Sequence, residues 1–232
     1  MTTLLLATRN THKVSEIRSI LGTQFELLTL NDFPGTPKIV EDADTFAGNA
    51  TKKSAELARW ISENSKFKTQ NSKLDFVLAD DSGLEVVALN GAPGIHSARF
   101  AVMDSGKNEN SSDAENNSKL LRLLENIPSE KRGAWFRCVL ALTPIPEKEI
   151  ESASPVCFAD ESELQTQLFD GVCEGKIIFE PRGKNGFGYD PLFVPDGFEK
   201  TFAELGEETK NKSSHRAKAL AKLRDYLSKL SS

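Results

Sequence analysis

The chain of 232 residues is 38% hydrophobic and 27% charged, the balance of a soluble globular protein rather than a disordered one. Its net charge of −5 weighs against broad nucleic-acid binding, which needs an extended basic surface, although a few clustered cations still suit a small anion. No apolar run approaches the roughly 20 residues of a membrane span, the opening MTTLLLATRN is too short for a signal peptide, and three cysteines without CxxC spacing (Cys138, Cys157, Cys173) fit a reducing cytosol.

Leu4 to Thr8 reads as a short buried strand, followed by a polar stretch, Arg9 to Lys13, and a helix striped by Val14, Ile17 and Leu21. Phe25 to Leu30 predicts a second strand. Asn31 to Asp44 holds Pro34, Gly35 and Pro37 and predicts a loop. Thr45 is placed to cap a helix running to about Ser65. Phe76-Val-Leu-Ala predicts a buried strand ending at Asp80-Asp81-Ser82-Gly83, with a further strand over Leu84 to Leu89 and a turn at Asn90-Gly91. The Ser- and Asn-rich residues Asp104 to Asn117 read as a surface excursion, before a short helix around Lys119 to Glu125. Ala134 to Leu142 has the continuous apolar character of a central strand. Two more strands are expected near Ser154 to Phe158 and Val172 to Phe179. Ser214 then caps a last helix striped by Leu220, Leu223, Leu227 and Leu230. No linker divides the chain, so residues 1–232 read as one α/β domain with a mixed sheet.

Five places could carry chemistry. Thr8-Arg9-Asn10-Thr11-His12-Lys13 joins a strand to a helix, where backbone N–H groups and the Lys13 ammonium suit a phosphate; a capped helix with a solvated lysine is the plain alternative. Asp80 and Asp81 are costly on an apolar strand unless solvated, hydrogen-bonded or bound to a cation, and alternation along the strand sends only one of them fully into a cleft. Glu41, in the preceding loop, is a possible second carboxylate for Mg²⁺. Gly186-Phe187-Gly188-Tyr189-Asp190 presents a phenyl ring between two glycines, either to stack on a nucleobase or to plug the loop to the core. Finally, His215 and Arg216 lie at a helix N-terminus, where cations oppose the macrodipole; an oxygen acceptor or anion would resolve the conflict. His12 and His96 read as incidental.

Thr8-x-Asn10-x-x-Lys13, Ala79-Asp-Asp-Ser-Gly-Leu84, Gly91-Ala-Pro-Gly-Ile-His-Ser-Ala-Arg-Phe100, Gly186-Phe-Gly-Tyr-Asp-Pro-Leu-Phe193 and Ser214-His215-Arg216, in this order, resemble the inosine triphosphate pyrophosphatase family, also called XTP/dITP pyrophosphatases. The resemblance implies an elongated mixed α/β fold of two lobes with a nucleotide cleft between them, usually as a homodimer. It implies Mg²⁺-dependent hydrolysis of non-canonical purine nucleoside triphosphates (ITP, dITP, XTP) to the monophosphate and pyrophosphate. By the same resemblance Thr8 to Lys13 hold the phosphates, Glu41 and Asp81 bind Mg²⁺, and Asp81 accepts a proton. Ser82, Phe187, Gly188, Tyr189, Asp190, Lys210, His215 and Arg216 complete substrate binding. The sequence departs from the family at Arg9, where a small residue is usual, and at Gly48, which replaces a frequent glutamate; residues 104–116 and about 160–168 look like insertions. The competing readings are a Maf-like pyrophosphatase with another base preference and a non-catalytic nucleotide sensor; the first lacks the Phe187 and His215-Arg216 signals, and the second has no need of a water-activating carboxylate.

Overall fold

The computed structural model describes residues 1–64, 74–105, 109–145 and 165–230. Its sheet has six strands in the order β2-β1-β3-β4-β5-β6: β1 (Thr3–Leu6), β2 (Glu26–Thr29), β3 (Phe76–Val86), β4 (Gly133–Pro144), β5 (Gln167–Ile177) and β6 (Phe193–Pro195). The helices are α1 (Thr11–Leu21), α2 (Phe46–Glu63), α3 (Asp113–Leu123), α4 (Phe202–Ser213) and α5 (His215–Leu230). β1 runs parallel to β2 and β3, whereas β3 to β6 are mutually antiparallel. None of the described helices is long and apolar enough to cross a membrane.

Alternation along the strands sorts the side chains into separate cores. Leu4, Leu6 and Leu78 face α1 and α5, meeting Ile17, Leu21, Leu220 and Leu223. Leu5, Val77 and Ala79 face α2, meeting Leu57, Ala58 and Ile61. Farther along the same strands, Leu84, Val86 and Phe136 enter another core with Leu120 of α3 and Phe202 of α4. Asp80 to Gly83 lie between these cores, and that placement makes the site.

Several elements differ from expectation. β3 does not end at Asp80 but pairs with β4 through the aspartates, with Asp80 opposite Leu140 and Asp81 opposite Val139. Its neighbour β1 is what ends: the last β1–β3 pair is Leu6 with Leu78. β5 begins at Gln167, five residues before Val172. α3 begins at Asp113, inside the stretch read as an excursion, because Ser112 and Glu115 form a capping box that satisfies its first-turn donors. α4 was not foreseen; Thr201 and Glu204 cap it in the same way, and Gly206 interrupts its helical backbone at φ +78°. The strand expected at Ser154 to Phe158 lies outside the described residues, as does most of the segment 160–168.

Candidate active site

The first side of the site forms where β1 stops and β3 continues. Asn10 caps α1, its Oδ1 accepting from the Lys13 N–H at 3.0 Å, and the Thr8 hydroxyl accepts from the Asn10 N–H at 3.1 Å. These bonds aim Lys13 across the end of β1, where its ammonium reaches Asp80 Oδ1 at 2.5 Å. Arg216, on the first turn of α5, donates to Asp80 Oδ2 at 2.8 Å and to the Ser82 hydroxyl at 3.2 Å. Ser82 in turn donates to Asp80 Oδ1 at 2.7 Å. Burial pushes the Asp80 carboxyl upward, but Arg216 and Lys13 outweigh it and hold the group well below the usual carboxylate range. Lys13 is therefore paired, not the solvated lysine of the plain alternative.

Asp81 points to the opposite face, toward α2. Lys53 of α2 places its ammonium 3.3 Å from Asp81 Oδ1, 3.2 Å from Glu41 Oε2 and 2.9 Å from the Asp80 carbonyl. Asp81 Oδ2 is buried with no hydrogen-bond partner among the described residues. Burial raises the Asp81 carboxyl above its ordinary value, although Lys53 and Lys13 pull the other way. Burial likewise opposes the charge on Lys53, yet Asp81 and Glu41 hold its ammonium above the ordinary lysine value. The loop carrying Glu41 is fixed because Asn49 accepts from the Ala43 N–H at 3.0 Å. A side chain at Gly48 would put its Cβ 2.8 Å from that of Ala43, so the absence of glutamate there lets this loop lie directly on α2.

No group of three or more metal-type side chains occurs among the described residues. Glu41 and Asp81 nonetheless fit Mg²⁺, which takes one or two carboxylates and completes its shell with water and substrate oxygens. An ammonium already sits between the two carboxylates, and Asp81 has an unused oxygen.

The Gly186–Asp190 loop closes the site from the side of α4. The Phe187 N–H donates to Asp190 Oδ2 at 2.9 Å, and the same oxygen accepts from Lys210 at 2.5 Å. Burial pushes the Asp190 carboxyl up against the pull of Lys210. The Phe187 ring stacks on His12, with centroids 5.2 Å apart and planes at 15°, and the Lys210 ammonium lies 4.4 Å from its centroid. Phe187 is thus turned to the α1 side rather than plugged into the apolar core, and His12 is a neighbour of the site rather than incidental. His96, by contrast, contacts Arg99 across one turn. Buried Tyr189 donates to the Ser97 carbonyl at 2.9 Å and so acts as the anchor of the loop. His215 is fully enclosed, stacked on Phe136 at 4.8 Å; burial, then Arg216 and Lys210, keep its imidazole neutral by lowering it well below its ordinary value.

The Ham1 family model matches residues 4–226, nearly the whole chain. The chain belongs to the Ham1 family. A dITP/XTP pyrophosphatase from Desulforamulus reducens is 42% identical over 228 residues, covering 98% of this chain and 96% of that protein. One from Geobacter sulfurreducens is 43% identical, covering 98% and 97%. Among solved structures, a HAM1 protein from Coxiella burnetii superposes with a TM-score of 0.74 at 36% identity, covering 99% of this chain and all of that one. The Ham1 protein of Staphylococcus aureus gives 0.72 at 33%, covering 98% of each.

Two charged residues of this Ham1 chain escaped the sequence reading. Lys53 joins Glu41 to Asp81, and Glu16 of α1 joins Lys210, at 2.6 Å, to Arg216. Both sit on amphipathic helices where a charge is ordinarily solvated. Glu16 could have been suspected three residues after Lys13, on the same helical face; Lys53 had no such signal beyond its place among Ala50, Ser54 and Leu57 on the buried side of α2.

Proposed function

We propose that this Ham1 chain hydrolyses non-canonical purine nucleoside triphosphates such as dITP, ITP and XTP to the monophosphate and pyrophosphate. The observation that carries the reading is that mid-β3 carries a raised and half-unsatisfied carboxylate, Asp81, with Lys53 beside it, next to Asp80, which gathers two further cations, Lys13 and Arg216. A triphosphate needs that positive charge, and an attacking water needs that base. The names of the relatives point the same way.

In this scheme water oxygen bonds to the α-phosphorus, the bridge to the β-phosphate breaks, and pyrophosphate leaves. Asp81, whose carboxyl is raised toward neutrality, takes the water proton. Lys13 and Lys53 hold the phosphate oxygens and stabilise the charge spread over them in the transition state. Mg²⁺ held by Glu41 and Asp81 would supply further charge neutralisation. Phe187 stacks on the base.

Base choice follows from donors. Hypoxanthine and xanthine carry an oxygen at C6, where adenine carries an amino donor. A guanidinium has five N–H groups; four of those of Arg216 go to Asp80 (two), Ser82 and Glu16, which leaves one for the base. Neutral His215 adds one N–H. Both favour an oxygen, and adenine would face them unpaired. A reducing cytosolic location and a homodimer belong to the same proposal; the family resemblance supports the dimer, and sedimentation tests it.

The deciding experiment incubates purified protein and Mg²⁺ separately with ITP, XTP, dITP, ATP and GTP and quantifies monophosphate and pyrophosphate. Strong preference for the first three is expected. Release of orthophosphate as first product, or no turnover of any of them, would overturn the proposal.

A further inference from the structure

The backbone of Gly188 is gripped from outside the loop by α3. Asp113 Oδ2 accepts from the Gly188 N–H at 2.6 Å, and Asn117 Nδ2 donates to the Gly188 carbonyl at 3.0 Å. The two side chains are one helical turn apart, so they reach the same residue from one face of α3. α3 is itself a fixed platform. Its N-terminus carries the Ser112–Glu115 capping box, and Leu120 and Leu124 are fully buried beneath it. Past its C-terminus, buried Arg132 takes the carbonyls of Leu124 and Ile127. The loop meets a second constraint on its inner side, where Asp190 accepts from the Phe187 N–H.

A purely structural role explains Asn117 poorly. Its Oδ1 is buried with no partner among the described residues, and an amide half-satisfied in the interior costs stability relative to an apolar residue. Asp113 and Asn117 are more than 70 residues away in sequence from the glycine they hold, and both reach it through its backbone groups.

We infer that Asp113 and Asn117 are positioning residues that set the angle and rigidity of the Phe187 ring by clamping the peptide groups of Gly188. This role rests on the proposal that Phe187 stacks on the base. Preorganising the ring removes an ordering cost from substrate binding, so its loss is read chiefly in KM.

The test compares Asp113→Ala and Asn117→Ala with Asp113→Asn and Glu115→Ala. ITP hydrolysis with Mg²⁺ is measured beside amide exchange of peptides covering residues 186–190. Each alanine variant is expected to raise KM roughly tenfold with kcat within about twofold, and to speed exchange at 186–190. Asp113→Asn keeps an acceptor oxygen and restores most of both. Glu115→Ala weakens the helix cap without touching the loop and leaves KM unchanged. Faster exchange with an unmoved KM overturns the inference, and so does a KM rise of equal size in Glu115→Ala. Unchanged variants beside an active wild type sink this role alone; an inactive wild type sinks the functional proposal and this role with it.

Discussion

Adjacent aspartates on β3 should respond in opposite ways to the same conservative change. Asp80 is 3% exposed and is the shared partner of Lys13 and Arg216, whose guanidinium is itself 1% exposed. Asp80→Asn removes the charge that balances both cations, and breaking a buried pair from one side costs about 3–5 kcal/mol. For a protein of this size about 2–4 °C of Tm is lost per kcal/mol, so the expected fall is roughly 6–20 °C. Asp81 differs, because its folded pKa is raised: its ionised form is disfavoured by folding at neutral pH, and Asn keeps an acceptor for Lys53. Asp81→Asn should therefore leave Tm unchanged or higher while turnover collapses. Thermal unfolding between pH 3 and 7 adds the sign. The Asp80 carboxyl lies below its unfolded value of about 3.9, so its stabilisation is full above that pH and is lost as pH falls through the folded value. The wild type should weaken below about pH 4, and Asp80→Asn should show a flatter curve there. Equal destabilisation by the two variants, or near-normal turnover in Asp81→Asn, would refute the assignment of opposite roles.

Three further outcomes are expected. Mg²⁺ at about 100 times its Kd should stabilise the protein by about 2.7 kcal/mol, a Tm rise of roughly 5–11 °C, and Glu41→Gln or Asp81→Asn should erase it; an undiminished shift in both variants would place the ion elsewhere. Phe187→Ala removes a stacking contact valued at about 1–3 kcal/mol per base, so KM for ITP should rise roughly 5- to 150-fold; a change confined to kcat would contradict a base platform. Arg216→Ala should lose more activity on ITP than on ATP, and equal losses would take base reading away from Arg216.

How much of this was legible in the sequence depended on whether a residue's partner was local. β1, α1, α2, β4 and α5 were visible because their apolar periodicity and caps are read within one window. Motif order grouped Lys13, Asp81, Ser82, Phe187 and Arg216 as one candidate site but assigned no role to Asp80, which the structure brings within hydrogen-bonding distance of Lys13, Ser82 and Arg216. The two faces of β3 were anticipated by strand alternation, but their separate partners were not: Lys53 and Glu16 act through residues 28 and 200 positions away. The polarity of residues 113–117 concealed a helix because Asn116 and Asn117 are poor helix formers whose side chains are repaid by distant backbone groups, Ala98, Ala101 and Gly188. α4 was hidden by Gly206, which breaks its pattern in the middle.

Gly171 of β5 lies beneath the first turn of α5, and a Cβ there would fall 2.1 Å from the His215 carbonyl oxygen and 2.7 Å from the Ala219 nitrogen. Both contacts are with backbone, so no rotamer change relieves them; the helix start would have to lift from the sheet. The seat of His215 and Arg216 is therefore dictated by a residue with no side chain on the neighbouring strand. In a saturation-mutagenesis screen for ITP turnover, position 171 should behave as intolerantly as the substrate-contacting positions. A map of functional positions drawn from such a screen would then extend onto a strand to which no substrate contact is assigned.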